Sequence, residues 1–324
     1  MEIEPAPAAP SHSRNIVLFN DRGLRAGWRL LIYCAMIAAL IFIARAVAGF
    51  LARHGGNAAA ASQVPQSTQS IIMAVGELIV FLVVLFLAWV MSKIEKRKVG
   101  VYGLPLQKSA VSTFFSAYVL WGFLPLTVLL LLLRAAGSFY FGNFSPLNGQ
   151  ILAWGILWLF TFLFVALFEE SFFRGYALYT LADGIGFWPG AIIMALVFAR
   201  AHMGNSGESR IGIIGVICFA LFAAATLWRT GNLWMAVGAH AGWDWGQTFF
   251  YGVNDSGFQA PGHLLNPHSQ GPDWLSGGSV GPEGSVVTLI LWVVMTVIVV
   301  VYYRPRGPAL VITEQSSDSG RISS

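Results

Sequence analysis

The chain has 324 residues, of which 56% are hydrophobic and only 10% are charged, and its mean hydropathy is +0.67. A soluble domain carries about 25% charged residues, so this composition excludes an ordinary soluble protein and predicts lipid as the main solvent. The net charge of +4 comes from short basic clusters near the ends of apolar runs, which is typical of membrane orientation and excludes a nucleic-acid-binding surface.

About eight apolar stretches are long enough to form membrane-spanning helices, each of which needs about 20 mostly apolar residues. In chain order they are Trp28–Leu51, Ile71–Met91, Val111–Leu133, Ile151–Thr180, Phe187–Met203, Ile211–Trp228, Leu233–Tyr251 and Val286–Tyr303. The fold class predicted from this pattern is all-α, as a polytopic transmembrane helical bundle.

The same pattern divides the chain into six segments. They are a disordered, Pro/Ala-rich N-terminal tail (1–20), the first spans with a basic cytoplasmic loop (21–110), a membrane core that holds the candidate site discussed below (111–251), a Gly/Pro-rich extracytoplasmic loop (252–285), the last span (286–303) and a cytoplasmic C-terminal tail (304–324). We interpret 252–285 as a plain aqueous loop. A lid over a cavity is the alternative, suggested by Trp274, His263 and His268.

Lys and Arg residues concentrate on the side of the bundle where an eight-span arrangement also puts both termini. These residues are Arg14, Arg22, Arg25, Lys93, Lys96, Arg97, Lys98, Lys108, Arg229, Arg304 and Arg306. Short cytoplasmic loops are enriched in Lys and Arg, so both termini are predicted to be cytoplasmic. The expected location is the cell membrane, as a multi-pass protein, and the inner membrane if the source is bacterial.

Ionisable residues inside membrane spans are energetically expensive, so each of them is a candidate functional residue. Of the six histidines, only two lie within apolar runs, His202 and His240. The acids within spans are Glu77, Glu169, Glu170 and Asp244, and the bases are Arg45, Arg174 and Arg200. For Glu77 we expect a structural ion pair with Arg45 or Arg200.

The fourth span carries two consecutive glutamates that must face different surroundings. Glu170 and Arg174 are four residues apart, so they share a helix face and can pair. Glu169 is turned about 100° away from Glu170. It is left to face something else, either as a general base or as a second buried acid that clamps the bundle.

Chain spacing brings the histidines to a depth similar to that of these glutamates. The tight turn 183–186 lies about 15 residues after Glu169 and about 17 residues before His202, so an antiparallel hairpin puts the two level. Asp244 follows His240 by four residues, on the same helix face. We therefore expect three separate helices to deliver an acid and two imidazoles to one pocket within the membrane.

Three short blocks hold these residues, namely Glu169-Glu170-Ser-Phe-Phe-Arg174, Phe198-Ala-Arg-Ala-His202 and His240-Ala-Gly-Trp-Asp244. They resemble, in the same order, the EExxxR, FxxxH and HxxxN/D motifs of the CAAX-protease and bacteriocin-processing family (CPBP, also called Abi). Val101–Leu104 resembles the YGL segment that often precedes the core in this family. The resemblance covers roughly residues 101–247 and implies an all-helical intramembrane peptidase, with eukaryotic relatives that trim prenylated CAAX proteins.

The resemblance also implies a role for each candidate site residue. Glu169 would activate the attacking water with the help of His202, His240 and Asp244 would stabilise the oxyanion, and Glu170 with Arg174 would orient the site. The family motif commonly ends in Asn, whereas this chain has Asp244. An ionised Asp cannot donate a hydrogen bond to an oxyanion, so Asp244 is either protonated, or orients His240, or helps to bind a metal.

Two chemistries stay open from these residues. In the favoured one no cofactor is required, and Glu169 and His202 act on water directly. In the other, a divalent metal such as Zn, held by His202, His240 and Glu169, lowers the pKa of bound water. The expected partners are membrane lipid and a peptide or protein substrate, which is either soluble or anchored in the membrane. Alternative functions are a non-catalytic binding or immunity-type protein of the same fold and, last, an ion-coupled transporter.

Overall fold

The structure is a computed structural model that describes residues 17–20, 23–54, 64–146 and 149–303. Most of the predicted N-terminal tail, the whole C-terminal tail 304–324 and several of the predicted cytoplasmic charges lie outside the described residues. The charges outside this range are Arg14, Arg22, Arg304 and Arg306. Within the tail 1–20, Phe19–Asn20 forms a short strand, β1, which pairs antiparallel with β2 (Gly23–Leu24).

Helices occupy all eight places where the sequence predicts spans. They are α1 (Ala26–His54), α2 (Gln66–Ile94), α3 (Ala110–Ala135), α4 (Ile151–Ile185), α5 (Phe187–His202), α6 (Arg210–Thr230), α7 (Trp234–Trp245, continued by a π-helical turn over Gly246–Tyr251) and α8 (Val286–Tyr302).

Length and composition allow five of these helices, α1, α2, α3, α4 and α6, to cross a membrane, while α5 and α8 are shorter apolar helices. In the hydrocarbon region every backbone N–H and C=O must be bonded internally, and a helix achieves this within one segment. The predicted polytopic helical bundle is therefore confirmed. The cytoplasmic position of the termini stays a prediction.

Contacts between loops and helix ends define the two ends of the bundle. At one end, the backbone N–H of Leu233, just before α7, donates to the carbonyl oxygen of Gly103 in the loop after α2 at 2.8 Å. The guanidinium of Arg29, in the first turn of α1, is buried between Glu95 after α2 and Asp183 near the end of α4. At the other end, β3 (Phe139–Phe144) pairs antiparallel with β4 (Leu265–Ser269).

Helix α7 packs against α3 at unusually close range through two glycines. A Cβ atom added at Gly238 would collide with the carbonyl oxygen of Phe114, and one added at Gly242 would collide with that of Tyr118. Small residues four apart let two helix backbones approach in this way. His240 lies two residues from each glycine, about 200° around the helix, so it faces away from α3.

The connection between α7 and α8 folds back over the bundle. The N–H of Gly257 donates to the carbonyl oxygen of Val280 at 2.9 Å, and the hydroxyl of Ser256 donates to Glu283 Oε2 at 2.9 Å. Gly257 has φ +81, and a Cβ atom there would collide with the carbonyl oxygen of Ser206 in the α5–α6 connection. This part of 252–285 is therefore packed against the bundle, and its extracytoplasmic, aqueous position stays a prediction.

Candidate active site

A cavity of about 390 Å³ lies inside the bundle beneath the α7–α8 connection. Four of the six predicted site residues line it: Glu169 on α4, His202 on α5, and His240 and Asp244 on α7. Three separate helices thus deliver an acid and two imidazoles to one pocket, as the spacing predicts. Among the described lining residues there are five carboxylates and no Lys or Arg; the carboxylates are Glu77, Glu169, Asp244, Asp255 and Glu283.

The two consecutive glutamates of α4 do face different surroundings. The Glu169 side chain is 19% exposed and lines the cavity. The Glu170 side chain is 0% exposed, lies behind the lining and accepts a hydrogen bond from Arg174 Nη1 at 3.1 Å. The ion pair predicted from the i,i+4 spacing is therefore present. Directly after Glu170 the helix changes to a π-helical turn, which often marks a functional site.

Arg174 lies in this π-helical turn and does not reach the cavity. Its side chain is only 2% exposed, and its guanidinium carbon lies 4.3 Å from the centroid of the Phe198 ring, a cation–π contact. The Phe198 ring in turn lies 4.3 Å from the His202 ring. Phe198 therefore links the buried ion pair to one of the two histidines, beyond the ring packing that the FxxxH spacing predicts.

His240 connects the buried pair with the cavity. Its Nδ1 lies 3.0 Å from Glu170 Oε1, and a carboxylate can only accept, so Nδ1 carries the hydrogen and donates it. Its Nε2 lies 3.7 Å from Glu169 Oε2 and 3.3 Å from Asp244 Oδ2. A chain of contacts therefore runs from Arg174 through Glu170 to His240, with the outer ring nitrogen of His240 among the lining carboxylates.

His202 is the last residue of α5 and lines the cavity from a third helix. Its Nδ1 lies 2.9 Å from the carbonyl oxygen of Phe198, one turn earlier. A carbonyl can only accept, so this nitrogen also carries the hydrogen. The other ring nitrogen of His202, Nε2, is left as an acceptor, and no described residue forms a hydrogen bond with it.

Asp244 belongs to a group of three carboxylates. Asp244, Asp255 and Glu283 each place one oxygen so that all three lie within 4.8 Å of one another. Thr248 donates to Asp255 at 3.2 Å, and Trp243 Nε1 donates to Glu283 at 3.2 Å. Burial, and then the charge of Glu283, raise the pKa of the Asp255 carboxyl well above its ordinary value. This group therefore tends to hold a proton.

The zinc set considered from the sequence is not assembled. A metal site needs at least three ligand atoms of His, Cys, Asp or Glu close together. In the described ranges only Asp244, Asp255 and Glu283 bring three such atoms within 4.8 Å of one another. His202, His240 and Glu169 do not form such a set. Zinc sites with two histidines and a carboxylate need all three ligands at about 2 Å from one ion, so this arrangement of the residues does not fit zinc.

Sequence reasoning missed Asp255 and Glu283. Both lie in the α7–α8 connection, where an acid is ordinarily solvated, and no local sequence pattern distinguishes them. Glu77 was recognisable as an acid within a span, but the expected ion pair is not formed: Arg45 and Arg200 are exposed, and Glu77 lines the cavity. The residues that suggested a lid, Trp274, His263 and His268, are not among the lining residues.

Comparison with known proteins bears on this same part of the chain. Neither curated proteins nor solved structures give a match. Residues 151–246, which contain all six predicted site residues, match the family model described as type II CAAX prenyl endopeptidase Rce1-like. This core segment is therefore similar to the type II CAAX prenyl endopeptidases of the Rce1-like family, a family of proteases. Five helices of the described chain are long and apolar enough to cross a membrane, which agrees with a multi-pass membrane protein.

Proposed function

We propose that this protein is an intramembrane endopeptidase in which Glu169 activates the attacking water without a metal, and that 111–251 is its catalytic core. The observation that supports this most strongly is the convergence of Glu169, His202 and His240 from three helices on one cavity. A volume of about 390 Å³ is in the range of small-ligand sites, about 300–1,000 Å³. It accommodates a short stretch of peptide together with water.

Glu169 and His202 divide the two hydrogens of the attacking water between them. The Glu169 carboxylate accepts one hydrogen and takes it as a proton when the water oxygen adds to the peptide carbonyl carbon. His202 has its Nδ1 hydrogen bonded to Phe198, so Nε2 can accept the second hydrogen and orient the water. The proton on Glu169 then passes to the leaving amine as the C–N bond breaks.

His240 and the carboxylate group stabilise the oxyanion of the tetrahedral intermediate. Glu170 accepts the Nδ1 hydrogen of His240 and fixes the ring, with Arg174 holding Glu170 in turn. When the ring carries a second proton, its Nε2–H faces the cavity and can donate to the oxyanion. A proton held by the group that contains Asp244 supplies a second donor, in place of the amide that an Asn would contribute at this position.

The charge of the cavity bears on the substrate. Five carboxylates and no Lys or Arg line its described part. A substrate carboxylate close to the scissile bond would be repelled by these groups, whereas a neutral or basic side chain would not. We therefore expect cleavage sites flanked by neutral or basic residues.

The test compares membranes that contain the wild-type protein with membranes that contain Glu169→Gln. Glutamine keeps the shape of the side chain but cannot take a proton. New peptide termini are mapped by mass spectrometry, and they should appear with the wild type and disappear with the variant. The matched control is Glu208→Gln, a glutamate in the α5–α6 connection that does not line the cavity and whose bond from the Ser209 N–H an amide can retain.

Three results would contradict this assignment. Undiminished cleavage by Glu169→Gln, in protein of normal yield and fold, would remove Glu169 as the base. Identical termini in membranes with and without the wild-type protein would favour the non-catalytic binding protein, and substrate flux in proteoliposomes without cleavage would favour the transporter. The mapped termini also test the expected preference for neutral or basic flanking residues.

A further inference from the structure

A second cavity, of about 470 Å³, lies at the end of the bundle where the loop after α2 meets the α6–α7 turn. It is separate from the candidate active site, and none of the six predicted site residues lines it. Its lining comes from the start of α3, the α6–α7 turn and the end of α8: Gln107, Ser109, Thr113, Ser116, Ala117, Leu120, Trp121, Arg229, Thr230, Asn232, Met235, Tyr302 and Tyr303.

Arg229 is the one charged residue among these described lining residues. Its Nε atom is buried and has no hydrogen-bond partner in the described part of the chain. A cation near the C-terminus of a helix, here α6, is stabilised by the helix dipole, and this alone could explain a basic residue at the position. It does not neutralise the charge: no carboxylate is among the described lining residues, and the half-buried side chain leaves the end of its guanidinium accessible to a ligand in the cavity.

The remaining polar groups of the cavity also favour an anion. The loop before α3 and its first turn contribute Gln107, Ser109 and Thr113, whose side chains can each donate a hydrogen bond. The N-terminus of the helix adds a partial positive charge, although the backbone N–H groups of Ala110 and Thr113 already donate to Gln107 and Ser109. The side chain of Ser109, at the N-cap position, forms no capping hydrogen bond with this terminus. The described lining contains no Asp or Glu. The guanidinium of Arg229 and the start of α3 thus present donors and positive charge to the same space.

The rest of the wall is apolar and extends along the helices. Leu120 and Trp121 lie 10 and 11 residues after Ala110, the start of α3, hence about 15–17 Å further along the helix. Trp121 and Tyr303 are in ring contact at 6.1 Å between centroids. A polar, positively charged mouth above an apolar wall fits an amphiphile better than a small ion.

We propose that this cavity binds the phosphate group of an anionic membrane phospholipid, with Arg229 as the residue that pairs with the phosphate. The lipid headgroup accepts hydrogen bonds from the guanidinium and from the donors at the start of α3, and an acyl chain lies along Leu120 and Trp121. Arginine suits this role because its guanidinium matches the geometry of phosphate oxygens. Inorganic phosphate shares the headgroup chemistry but has nothing to place against the apolar wall.

The experiment is native mass spectrometry of the full-length protein in mild detergent, titrated with phosphatidylglycerol or with phosphatidylcholine. The wild type should bind phosphatidylglycerol more tightly. Arg229→Gln should weaken that binding about tenfold or more, as expected for loss of a charge-assisted hydrogen bond. Thr113→Phe, which fills the cavity and leaves Arg229 in place, should weaken it as well. The matched control, Lys98→Gln, removes one exposed positive charge from the same end of the bundle and should bind as the wild type does.

The same titrations contain the results that overturn the proposal. Equal binding of the two lipids by the wild type would do so, and so would unchanged phosphatidylglycerol binding by Arg229→Gln. An equal loss with Lys98→Gln would reduce the effect to the general charge of this surface. Displacement of phosphatidylglycerol by millimolar inorganic phosphate would identify a free phosphate, and not a lipid, as the ligand.

Discussion

Glu169 and Glu170 are adjacent in the chain, yet replacing each by Gln should have different consequences. Glu170 is 0% exposed and accepts hydrogen bonds from Arg174 at 3.1 Å and from His240 at 3.0 Å. With Gln at position 170, the buried guanidinium of Arg174 loses its counter-ion. Breaking a buried ion pair from one side costs about 3–5 kcal/mol, so Glu170→Gln should lower the free energy of unfolding by about that amount.

Glu169→Gln should instead leave the free energy of unfolding within about 0.5 kcal/mol of the wild type. The Glu169 side chain is 19% exposed, and no hydrogen bond joins it to the described part of the chain. Its one ion-pair contact within the described residues is with His240 Nε2 at 3.7 Å. Cleavage should nevertheless be lost, because an amide cannot take the proton from water.

A double variant, Glu170→Gln with Arg174→Met, separates the charge of the pair from its shape. Both charges are removed and no buried ion is left without a partner, so stability should recover by about 2 kcal/mol or more relative to Glu170→Gln alone. Activity should not recover, because His240 still lacks the carboxylate that accepts its Nδ1 hydrogen.

Reversible unfolding in mixed detergent and SDS micelles measures the stabilities, followed by the fluorescence of the 12 tryptophans. Cleavage of a substrate identified from the mapped termini measures the activity. The reasoning would be refuted by a Glu169→Gln protein as unstable as Glu170→Gln. It would be refuted equally by a double variant that is less stable than both of its single variants.

Three further predictions follow from the same geometry. His240→Gln should lower kcat by about 100-fold or more, as loss of an oxyanion donor does, with a smaller change in KM, and steady-state kinetics measures both. Burial raises the pKa of the Asp255 carboxyl. Below the ordinary carboxyl pKa of about 4 the group is protonated in both the folded and the unfolded state and does not oppose folding. As the pH rises through the raised value, ionisation of Asp255 increasingly lowers the free energy of unfolding. Asp255→Asn should therefore be more stable than the wild type near about pH 8 and equal to it near about pH 4 in the same unfolding assay. Prolonged dialysis against a chelator should leave cleavage intact, since Glu169, His202 and His240 do not form a zinc set; loss of cleavage that Zn restores would contradict this.

Much of the fold was predictable because its causes are local. A run of about 20 apolar residues becomes a helix in lipid whatever its neighbours are, and all eight predicted spans are helices. The Glu170–Arg174 pair was predictable for the same reason, since four residues on a helix bring two side chains together. Predicting that Glu169, His202 and His240 meet needed one further step. The number of residues between each of them and the nearest turn had to be converted into a depth along the bundle.

Other parts of the site depend on contacts that the local sequence does not encode. Asp255 and Glu283 reach the cavity because the α7–α8 connection folds back over the bundle, and that path depends on the fit of Gly257 against the α5–α6 connection. The close packing of α7 on α3 was accessible in principle, because Gly238 and Gly242 form a GxxxG pattern. The partner of that glycine face, however, is set by tertiary structure.

The order of these glutamates explains how one helix can serve both stability and chemistry. Consecutive residues on a helix point about 100° apart, so Glu170 can be committed to a dry ion pair while Glu169 faces a cavity that admits water. In the proposed mechanism Glu170 contributes to the reaction through His240, whose Nδ1 lies 3.0 Å from its carboxylate. Glu169 lies five residues from Arg174 and so cannot form the i,i+4 pair, and Glu170 does not line the cavity. The two acids are therefore not redundant, and neither can substitute for the other.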